Sequence, residues 1–316
     1  MIASTAVLSG WGRTPASSAR LVELSADELT PATIADLRTP RGIIPRGLGR
    51  SYGDAAQNGG GTVARLRPGP ILLDPAAGTV TVGAGVSLDE LLRHLVPRGF
   101  FVPVTPGTRF VTVGGAVASD IHGKNHHVDG TFGAHVEAMT IVAADGRARR
   151  ITPDGEPEWW WATIGGMGLT GLIVDATVRL LPIETSRCLV DTDRVPDLDT
   201  LMAKMEADDH RYRYSVAWVD LVATGRSLGR AVLTQGDHAG VADLAERRPD
   251  DLDDPLVFDP STRVPVPRGV PNVLTRTTVR AFNEFWFRKA PRAHRGLETI
   301  TSFFHPLDMV LDWNRF

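Results

Sequence analysis

The fold is decided by the stretch Pro45-Arg46-Gly47-Leu48-Gly49-Arg50-Ser51-Tyr52-Gly53, a glycine-rich segment that continues a short strand candidate at residues 41–45. Glycine lets the backbone approach a ligand closely and adopt a positive φ, so that consecutive N–H groups can surround a phosphate. A single cluster of this kind is more often a plain turn. The spacing Gly-x-Gly-x-x-x-Gly, followed by residues 55–61 without helical periodicity, argues against a Rossmann dinucleotide fold.

Two further glycine clusters change this interpretation. Residues 107–115 and 165–171 are also glycine-rich, and each cluster lies beside a predicted strand, as residues 47–53 do. The chain has 32 glycines in 316 residues, against roughly 7% in average proteins. A ligand with a pyrophosphate and two ring systems needs close backbone approach at several points. The three clusters therefore predict a large, extended ligand such as FAD.

The remaining pattern predicts helices and strands in two domains. Residues 87–99 read as a helix with a capping box, leucines on one face, and a proline and a glycine at its end. Residues 100–104 read as a strand, and Asp145-Gly146 predicts a hairpin turn. Glycine thins out later in the chain, which indicates a domain boundary near residue 185. Further predictions are a small-residue helix at 111–119, a strand at 172–180, a helix at 198–207, a strand at 212–218, a proline-rich loop at 255–271 and an amphipathic helix at 278–289.

Composition and charge exclude several classes of protein. Hydrophobic residues make up 42% and charged residues 22%, which is typical of a globular chain and excludes a mostly disordered or collagen-like one. A formal net charge of −3 disfavours a general nucleic-acid-binding role. The single cysteine, Cys188, cannot form an intrachain disulfide.

The two ends of the chain carry less information. Residues 1–11 lack the basic region and long apolar run of a secretory signal, and no stretch approaches roughly 18 uninterrupted apolar residues. The sequence therefore predicts a cytoplasmic protein, with peripheral membrane contact left open. Residues 309–316 are apolar and aromatic, which fits either a docked terminal segment or a fragment of a longer chain.

A histidine cluster follows the second glycine cluster. Residues 120–127 read Asp-Ile-His-Gly-Lys-Asn-His-His, with three histidines within six positions. A zinc site is one interpretation, but Gly123 breaks the helix that would align His122 with His126, and the segment has no cysteine. A role in a cofactor pocket is favoured because of the adjacent glycine cluster, and no metal is predicted.

These residues resemble the FAD-binding oxidoreductases of the vanillyl-alcohol-oxidase type, which carry a PCMH-type FAD-binding domain. Within that superfamily the chain most resembles the decaprenylphosphoryl-β-D-ribose 2'-oxidases of actinobacterial cell-wall synthesis. The matching motifs span almost the whole chain and are Gly10 to Arg13, Arg46 to Asp54, Gln57 to Gly61, Pro106 to Thr108, Thr112 to Ala116, Asp120 to His127, Gly165 to Gly171, His305 to Met309 and Trp313 to Arg315.

The resemblance implies an α+β fold. It implies a two-subdomain PCMH-type FAD-binding domain at residues 1–185 and a substrate domain with an antiparallel sheet at residues 186–316. Members of this family continue well past the position of Phe316, so the resemblance also implies an incomplete substrate domain and a truncated chain. Many relatives attach FAD covalently through a histidine in the first glycine loop. Arg50 stands at that position here, which implies non-covalent FAD.

The resemblance also implies roles for individual residues. His122 would position the sugar beside the flavin, and Lys124 would stabilise negative charge, with local structural bonding as the open alternative for both. The residues implied around FAD are Arg46, Gly47, Leu48, Gly49, Arg50, Ser51, Tyr52 and Gly53 at the pyrophosphate, Gly107, Thr112, Val113, Gly114 and Gly115 along the cofactor, and Ser119, His122 and Ile173 near the flavin.

The activity implied is FAD-dependent oxidation of the 2'-hydroxyl of decaprenylphosphoryl-β-D-ribose, a lipid-linked ribofuranose phosphate, to the 2'-keto sugar. Hydride would pass from the alcohol carbon to the flavin while a base or a hydrogen-bond network takes the hydroxyl proton. An NADH-dependent reductase partner would complete epimerisation to the arabinose donor for cell-wall arabinan. The resemblance also leaves a membrane-associated or cell-envelope location open. Two alternatives stay open: an aldonolactone or alditol oxidase of the same superfamily, and a non-catalytic flavin-binding protein.

Overall fold

The computed structural model describes residues 1–260, 264–265, 274–311 and 314. The chain divides into two compact units, one of residues 1–123 and 129–182 and the other of residues 124–128 and 183–316. All three glycine clusters belong to the first unit. The assignment of cofactor binding to residues 1–185 and of substrate binding to residues 186–316 stays a prediction.

Helices and strands follow one another in a mixed order along the described residues. The helices are α1 (Pro31–Leu37), α2 (Leu88–Leu95), α3 (Val113–Ala118), α4 (His126–Asp129), α5 (Pro157–Thr163), α6 (Leu198–Asp208), α7 (Val241–Arg247), α8 (Arg276–Lys289) and α9 (Ile300–Phe304). The strands are β1 (Ile2–Ser9), β2 (Ala16–Leu24), β3 (Ile43–Pro45), β4 (Thr62–Leu66), β5 (Ile71–Asp74), β6 (Thr79–Gly83), β7 (Phe100–Phe101), β8 (Val136–Val142), β9 (Ala148–Ile151), β10 (Leu172–Arg179), β11 (Leu181–Pro182), β12 (Arg187–Val195), β13 (Tyr214–Val219), β14 (Ala231–His238), β15 (Val264–Pro265), β16 (Ala293–Thr299) and β17 (Val310–Leu311).

Two sheets of four and five strands, together with the short β7–β11 pair, build the first unit. The first has the strand order β1-β2-β4-β3, in which β1 and β2 are antiparallel and β4 is parallel to both of its neighbours. Parallel neighbours need a crossover connection, and the chain between β2 and β4 contains α1. The second sheet has the order β5-β6-β10-β8-β9 and is antiparallel throughout. The predicted α+β class is confirmed, and the hairpin predicted at Asp145-Gly146 is the β8–β9 pair.

A buried apolar cluster joins the two sheets of this unit. It contains Val22 and Leu24 of β2, Leu37 of α1, Val142 of β8 and Leu172 of β10, among others. Burying one such side chain stabilises the fold by about 1.5–3 kcal/mol. The cluster therefore fixes the start of β10, next to the third glycine cluster, against the first sheet.

Helix α2 forms as the sequence predicts. The Ser87 hydroxyl accepts the N–H of Glu90, and the Glu90 carboxylate accepts the N–H of Ser87 at 2.8 Å. The four leucines of the predicted face have no solvent exposure. Gly99 follows with a φ of 79°, in the left-handed region where glycine meets no Cβ penalty.

The strand predicted at residues 100–104 is wrong in its second part. Strand β7 ends at Phe101, because Pro103 has no N–H to donate to a ladder. Val102 and Val104 are nevertheless fully buried. The apolar run therefore indicates that these residues are buried, but not that they form a strand. Hydrophobicity alone cannot distinguish a buried irregular segment from a buried strand.

The second unit is built on an antiparallel sheet of order β13-β14-β12-β16, as the resemblance implies. Helix α6 packs on it through Leu201, which lies with Val195, Ala231 and Leu233 in a buried cluster. The helices predicted at 198–207 and 278–289 and the strand predicted at 212–218 are confirmed, with their ends shifted by one or two residues.

The proline-rich loop predicted at 255–271 falls partly outside the described residues. Residues 255–260 form neither helix nor strand, and residues 264–265 are the short strand β15 beside β17. The rest of that prediction, together with Trp313 and Arg315 of the last matching motif, lies outside the described residues.

Candidate functional site

A cleft of about 460 Å³ lies in the first unit. It is lined by the loop after β3, the turn after β6, the loop that enters α3, one side of α3 and the loop before β10. Its volume is within the range of cofactor sites, which is about 300–1,000 Å³. The three glycine clusters, far apart in sequence, thus contribute to one cavity.

Two glycines of the first glycine loop lie too close to their neighbours to carry a side chain. A Cβ at position 47 would lie 2.5 Å from the Thr112 hydroxyl oxygen at the start of α3. Gly49 has a φ of 68°, and a Cβ there would collide with the guanidinium of Arg46. Both positions line the cleft. Gly47 is therefore needed for the close approach to Thr112, and Gly49 for a left-handed backbone that only glycine adopts without strain.

Arg46 brings a positive charge to the same loop. Its guanidinium donates to the Ala56 carbonyl at 3.0 Å and to the Ser9 carbonyl at 2.6 Å. Among the described residues it forms no ion pair, although half of it is buried. Burial, and secondly the charge of Arg65, lower its pKa. A half-buried cation without a carboxylate partner at the edge of a cleft favours an anionic ligand.

Arg50 is held by aromatic rings. Its guanidinium carbon lies 3.9 Å from the centroid of a Trp11 ring and 5.6 Å from that of Phe110. Such stacking on ring faces is a common arrangement for arginine. It connects the N-terminal motif at Gly10 to Arg13 with the first glycine loop, since Arg50 also lines the cleft.

Helix α3 forms one wall of the cleft. The hydroxyl of Thr112, its N-cap residue, accepts the N–H of Gly115 at 3.1 Å. A Cβ at Gly114 would lie 2.9 Å from the Cβ of Ala84, so this glycine allows the helix to pack on the turn after β6. At the other end of the helix, the third glycine cluster covers the carbonyls: Gly165 N–H donates to Val117 and Met167 N–H to Ala118.

The structure brings together many of the predicted cofactor residues and leaves others outside the lining. Those that line the cleft are Arg46, Gly47, Leu48, Gly49, Arg50, Ser51, Thr112, Gly114, Gly115, Ser119 and Ile173. Those outside the lining are Tyr52, which is exposed, Val113, which is buried within α3, and Gly53, Gly107 and His122. The binding role of each of these residues stays a prediction.

The two predicted catalytic residues lie in different units. His122 belongs to the first unit, where its backbone forms a bridge with Thr131, and its side chain is exposed. It directly follows Ile121, which lines the cleft. Lys124 belongs to the second unit, and its carbonyl accepts the N–H of Ser215 at 2.8 Å.

The electrostatic environment of Lys124 is unusual for a lysine. Its Nζ lies 5.6 Å from the centroid of the Phe303 ring. Burial lowers its pKa to about 8, and the Glu298 carboxylate opposes that shift. Lys124 is therefore mainly cationic at neutral pH and loses its charge as the pH rises through about 8.

Two other histidines of this region are bonded to backbone carbonyls. The Nε2 atom of His127 lies 3.1 Å from the carbonyl oxygen of Tyr212, and that of His135 lies 3.0 Å from the carbonyl oxygen of Asp129. Within residues 1–260, 264–265, 274–311 and 314, no group of three histidine, cysteine or acidic side chains is arranged to hold a metal ion.

Several lining residues are absent from the sequence-based prediction. Ala84 and Gly85 form the turn after β6, and Met167 lies between glycines with a φ of 51°. The signal for the first pair is weak but present, since Gly83-Ala84-Gly85 is a run of small residues directly after a strand. Met167 lies within the third glycine cluster, which points to the segment as a whole but gives no indication that the methionine itself lines the cleft.

The donor set and the shape of the cleft fit FAD. Close backbone at Gly47 and Gly49 beside the Arg46 cation fits an anionic pyrophosphate. Apolar side chains such as Val111, Ile121 and Ile173 line other parts of the cavity and fit flat ring systems. The residues present thus match both chemical parts of the cofactor.

Comparison with known proteins gives concordant results. A family model described as an FAD binding domain matches residues 31–152. The decaprenylphosphoryl-β-D-ribose oxidase of Mycolicibacterium smegmatis is 42% identical over 99% of this chain and 69% of its own length. An uncharacterised Streptomyces coelicolor protein from the mprA 5' region is 39% identical over 67% of this chain and 58% of its own. An alditol oxidase of a Streptomyces species is 32% identical over 48% of this chain and 38% of its own.

Among the helices of the described residues, none combines the length and the apolar composition needed to cross a bilayer.

Proposed function

Since the chain belongs to the decaprenylphosphoryl-β-D-ribose oxidase group of FAD-dependent oxidoreductases, we propose that it oxidises the 2'-hydroxyl of a polyprenyl-phosphate-linked ribofuranose to a ketone. The observation that carries this proposal is the 42% identity over 99% of the chain. The cleft supports it, because residues from all three glycine clusters line one cavity that fits FAD. The reaction would be the first half of an epimerisation that yields the arabinose donor for cell-wall arabinan.

The cofactor would be held mainly by main-chain groups and one cation. Gly47 and Gly49 provide the close backbone at the pyrophosphate, and Arg46 provides the charge. Ser119 and Ile173 line the part of the cleft assigned to the flavin ring. When bound, FAD supplies the acceptor for the two electrons and the hydrogen removed from the sugar carbon.

The protein's own groups would bind and orient the sugar. His122 would hold the 2'-hydroxyl by a hydrogen bond and could accept its proton, as imidazole does in many acid–base sites. Lys124, two residues further along the chain, would supply a positive charge for the substrate phosphate. Its lowered pKa means that this charge is lost above about pH 8.

Two partners belong to this proposal. The 2'-keto sugar needs a reductase that adds hydride to the opposite face of the ring, which an NADH-dependent enzyme would provide. A substrate with a long polyprenyl chain resides in a membrane, so the protein would contact the membrane surface peripherally.

An alditol or aldonolactone oxidase activity is the second candidate. It is favoured by the 32% identity to an alditol oxidase, although that similarity covers 48% of this chain. Both reactions remove hydride from a carbinol carbon, so they share the cofactor site and differ in the substrate.

Anaerobic reduction of the bound flavin tests the substrate. We expect decaprenylphosphoryl ribose to bleach the visible flavin absorbance of the protein and to yield a product lighter by two hydrogens. The 2'-deoxy analogue, which lacks the reacting hydroxyl, should leave the flavin oxidised. Bleaching by an alditol or an aldonolactone, with none by the lipid-linked ribose, would support the second candidate instead.

We expect the flavin to be bound without a covalent link, because the resemblance places Arg50 where many relatives carry a linking histidine, and its guanidinium is stacked on Trp11. A guanidinium stays protonated and is a poor nucleophile toward the flavin methyl group. Acid precipitation should release all of the flavin into the supernatant, where chromatography identifies it as FAD. Yellow colour that stays in the washed pellet would contradict this expectation.

A further inference from the structure

Helix α3 ends on an aspartate in a left-handed conformation. Asp120 has a φ of 41°. Its N–H donates to the Val117 carbonyl at 3.0 Å, and the N–H of Ile121 donates to the Ala116 carbonyl at 3.1 Å. These two bonds form a Schellman motif with Asp120 at the C′ position, where glycine is usual and asparagine is the common substitute.

Aspartate is locally unfavourable here for two reasons. A side chain in the left-handed region costs energy that glycine avoids. A negative charge at a helix C-terminus also faces the partial negative charge of the last carbonyls. Glycine at this position would form the same backbone turn at a lower free-energy cost. Any advantage of aspartate here must therefore come from its carboxylate.

The carboxylate is used to hold a distant backbone segment. Oδ1 of Asp120 accepts the N–H of Gly133 at 2.9 Å. A Cβ at position 133 would lie 2.8 Å from that oxygen and 2.5 Å from Ile164, so the approach requires glycine. The two residues are matched: one provides the acceptor and the other leaves the space for it.

The same two segments of the first unit are also joined by a backbone hydrogen bond and an isolated antiparallel bridge. Next to it, the N–H of Phe132 donates to the Ile121 carbonyl at 2.8 Å. Beyond that, His122 and Thr131 form an antiparallel bridge. The bond to the Asp120 carboxylate thus lies at one end of a short antiparallel contact between residues 120–122 and 131–133. This contact holds His122 and also Ile121, which lines the cleft.

We propose that Asp120 is a positioning residue, whose carboxylate fixes Ile121 against the cofactor and His122 for the substrate by holding Gly133. It would act through these neighbours, since Asp120 itself does not line the cleft. The catalytic part of this inference rests on the proposed function of His122, and the structural part does not.

A series of variants separates the backbone turn, the hydrogen bond and the charge. Asp120→Asn keeps an acceptor oxygen and tolerates the left-handed region, so it removes only the charge. Asp120→Gly keeps the turn and removes the bond. The matched control is Asp74→Gly, because Oδ1 of Asp74 also accepts backbone N–H groups, from Ala76 and Ala77, at a turn outside the cleft.

Two readouts are independent of turnover. In Asp120→Gly we expect faster amide hydrogen exchange at Phe132 and Gly133 and a changed visible circular dichroism of bound FAD, because Ile121 is no longer fixed. Asp120→Asn and Asp74→Gly should match wild type in both. Wild-type exchange and dichroism in Asp120→Gly would overturn the proposal.

Flavin reduction by substrate gives the third readout. We expect Asp120→Gly to reduce its flavin about tenfold more slowly at saturating substrate, as small displacements of reacting groups do, and Asp120→Asn to stay within about twofold of wild type. Equal slowing in Asn and Gly would mean that the charge matters and would overturn the positioning role. If wild type itself is not reduced by lipid-linked ribose, the proposed function fails, while the exchange and dichroism results still decide whether Asp120 fixes the cleft.

Discussion

Gly49→Val is expected to leave the purified protein without FAD, with an affinity for added FAD at least about tenfold weaker than that of wild type. Gly49 has a φ of 68°, which costs a residue with a Cβ about 1–2 kcal/mol, and valine is branched at that carbon. The loop can relieve this strain only by leaving the conformation that lines the cleft. Because a difference of 1.4 kcal/mol is a factor of ten in affinity, the strain alone is nearly sufficient for the expected loss.

The position of Arg46 increases the loss of FAD affinity that we expect in Gly49→Val. A Cβ at position 49 would collide with its guanidinium, and that group has little freedom because it is bonded to the carbonyls of Ser9 and Ala56. Displacing it would remove the positive charge from the place assigned to the pyrophosphate. We therefore expect the loss in Gly49→Val to exceed the loss in Gly49→Ala, whose side chain is smaller.

Gly53→Val is the matched control, and it also tests the implied place of Gly53 at the pyrophosphate, which the lining of the cleft does not support. Gly53 belongs to the same loop, but its φ is outside the left-handed region, a Cβ there has no neighbour within 4 Å, and it does not line the cleft. It should retain FAD, measured as flavin absorbance per protein after gel filtration. Equal flavin content in Gly49→Val and wild type, or equal loss in Gly49→Val and Gly53→Val, would contradict the phosphate-loop assignment. If Gly49→Val does not fold by circular dichroism, titration of Gly49→Ala with FAD decides.

The contrast between Gly49 and Gly53 indicates how much of the site can be predicted from the sequence. A glycine-rich segment after a strand is a local signal, so the sequence alone identifies residues 46–51. The structure places all of them in the lining of the cleft. Whether a given glycine has a positive φ or faces a neighbour depends on packing that the sequence does not state. Gly47 and Gly53 are both part of the motif, yet only Gly47 lies close to Thr112.

The same distinction between local signals and packing applies to the fold. Helix α2 is predictable because its capping box and its leucine face lie within a dozen residues. The end of β7 at Phe101 is not, since Val102 and Val104 are buried without being paired in a ladder. The separation of His122 and Lys124 into different units is also not predictable. Only Gly123 lies between them, and nothing in the sequence there indicates that one unit ends and the other begins.

Asp120 is a case where a local rule fails for a reason located elsewhere. The end of α3 reads as a position for glycine or asparagine, and the carboxylate at Asp120 is explained by an N–H thirteen residues later in the chain. Departures of this kind from local preference tend to concentrate at functional sites. A left-handed residue other than glycine beside a cleft is therefore a useful indication of where positioning matters.

His122→Ala is expected to slow flavin reduction by at least about tenfold at saturating substrate, because positioned acid–base groups contribute roughly 10²–10⁴-fold. His122 follows Ile121, which the bonds to residues 132 and 133 hold at the cleft, while the His122 side chain is exposed and outside the cofactor lining. Its removal should therefore leave FAD content and thermal stability close to those of wild type. The loss should appear in the limiting rate of anaerobic reduction more than in the substrate concentration at half-maximal rate, as expected for an interaction that strengthens in the transition state.

His127→Ala is the matched control for this experiment, because His127 belongs to the same histidine cluster but its Nε2 is bonded to the Tyr212 carbonyl. It should reduce its flavin within about twofold of wild type. A His122→Ala rate within about twofold of wild type, with unchanged flavin content, would make His122 a structural residue of the Thr131 bridge. Acid–base assistance would then have to come from another group, and Lys124 would be the first to examine, since its pKa of about 8 lets it exist in both protonation states near neutral pH.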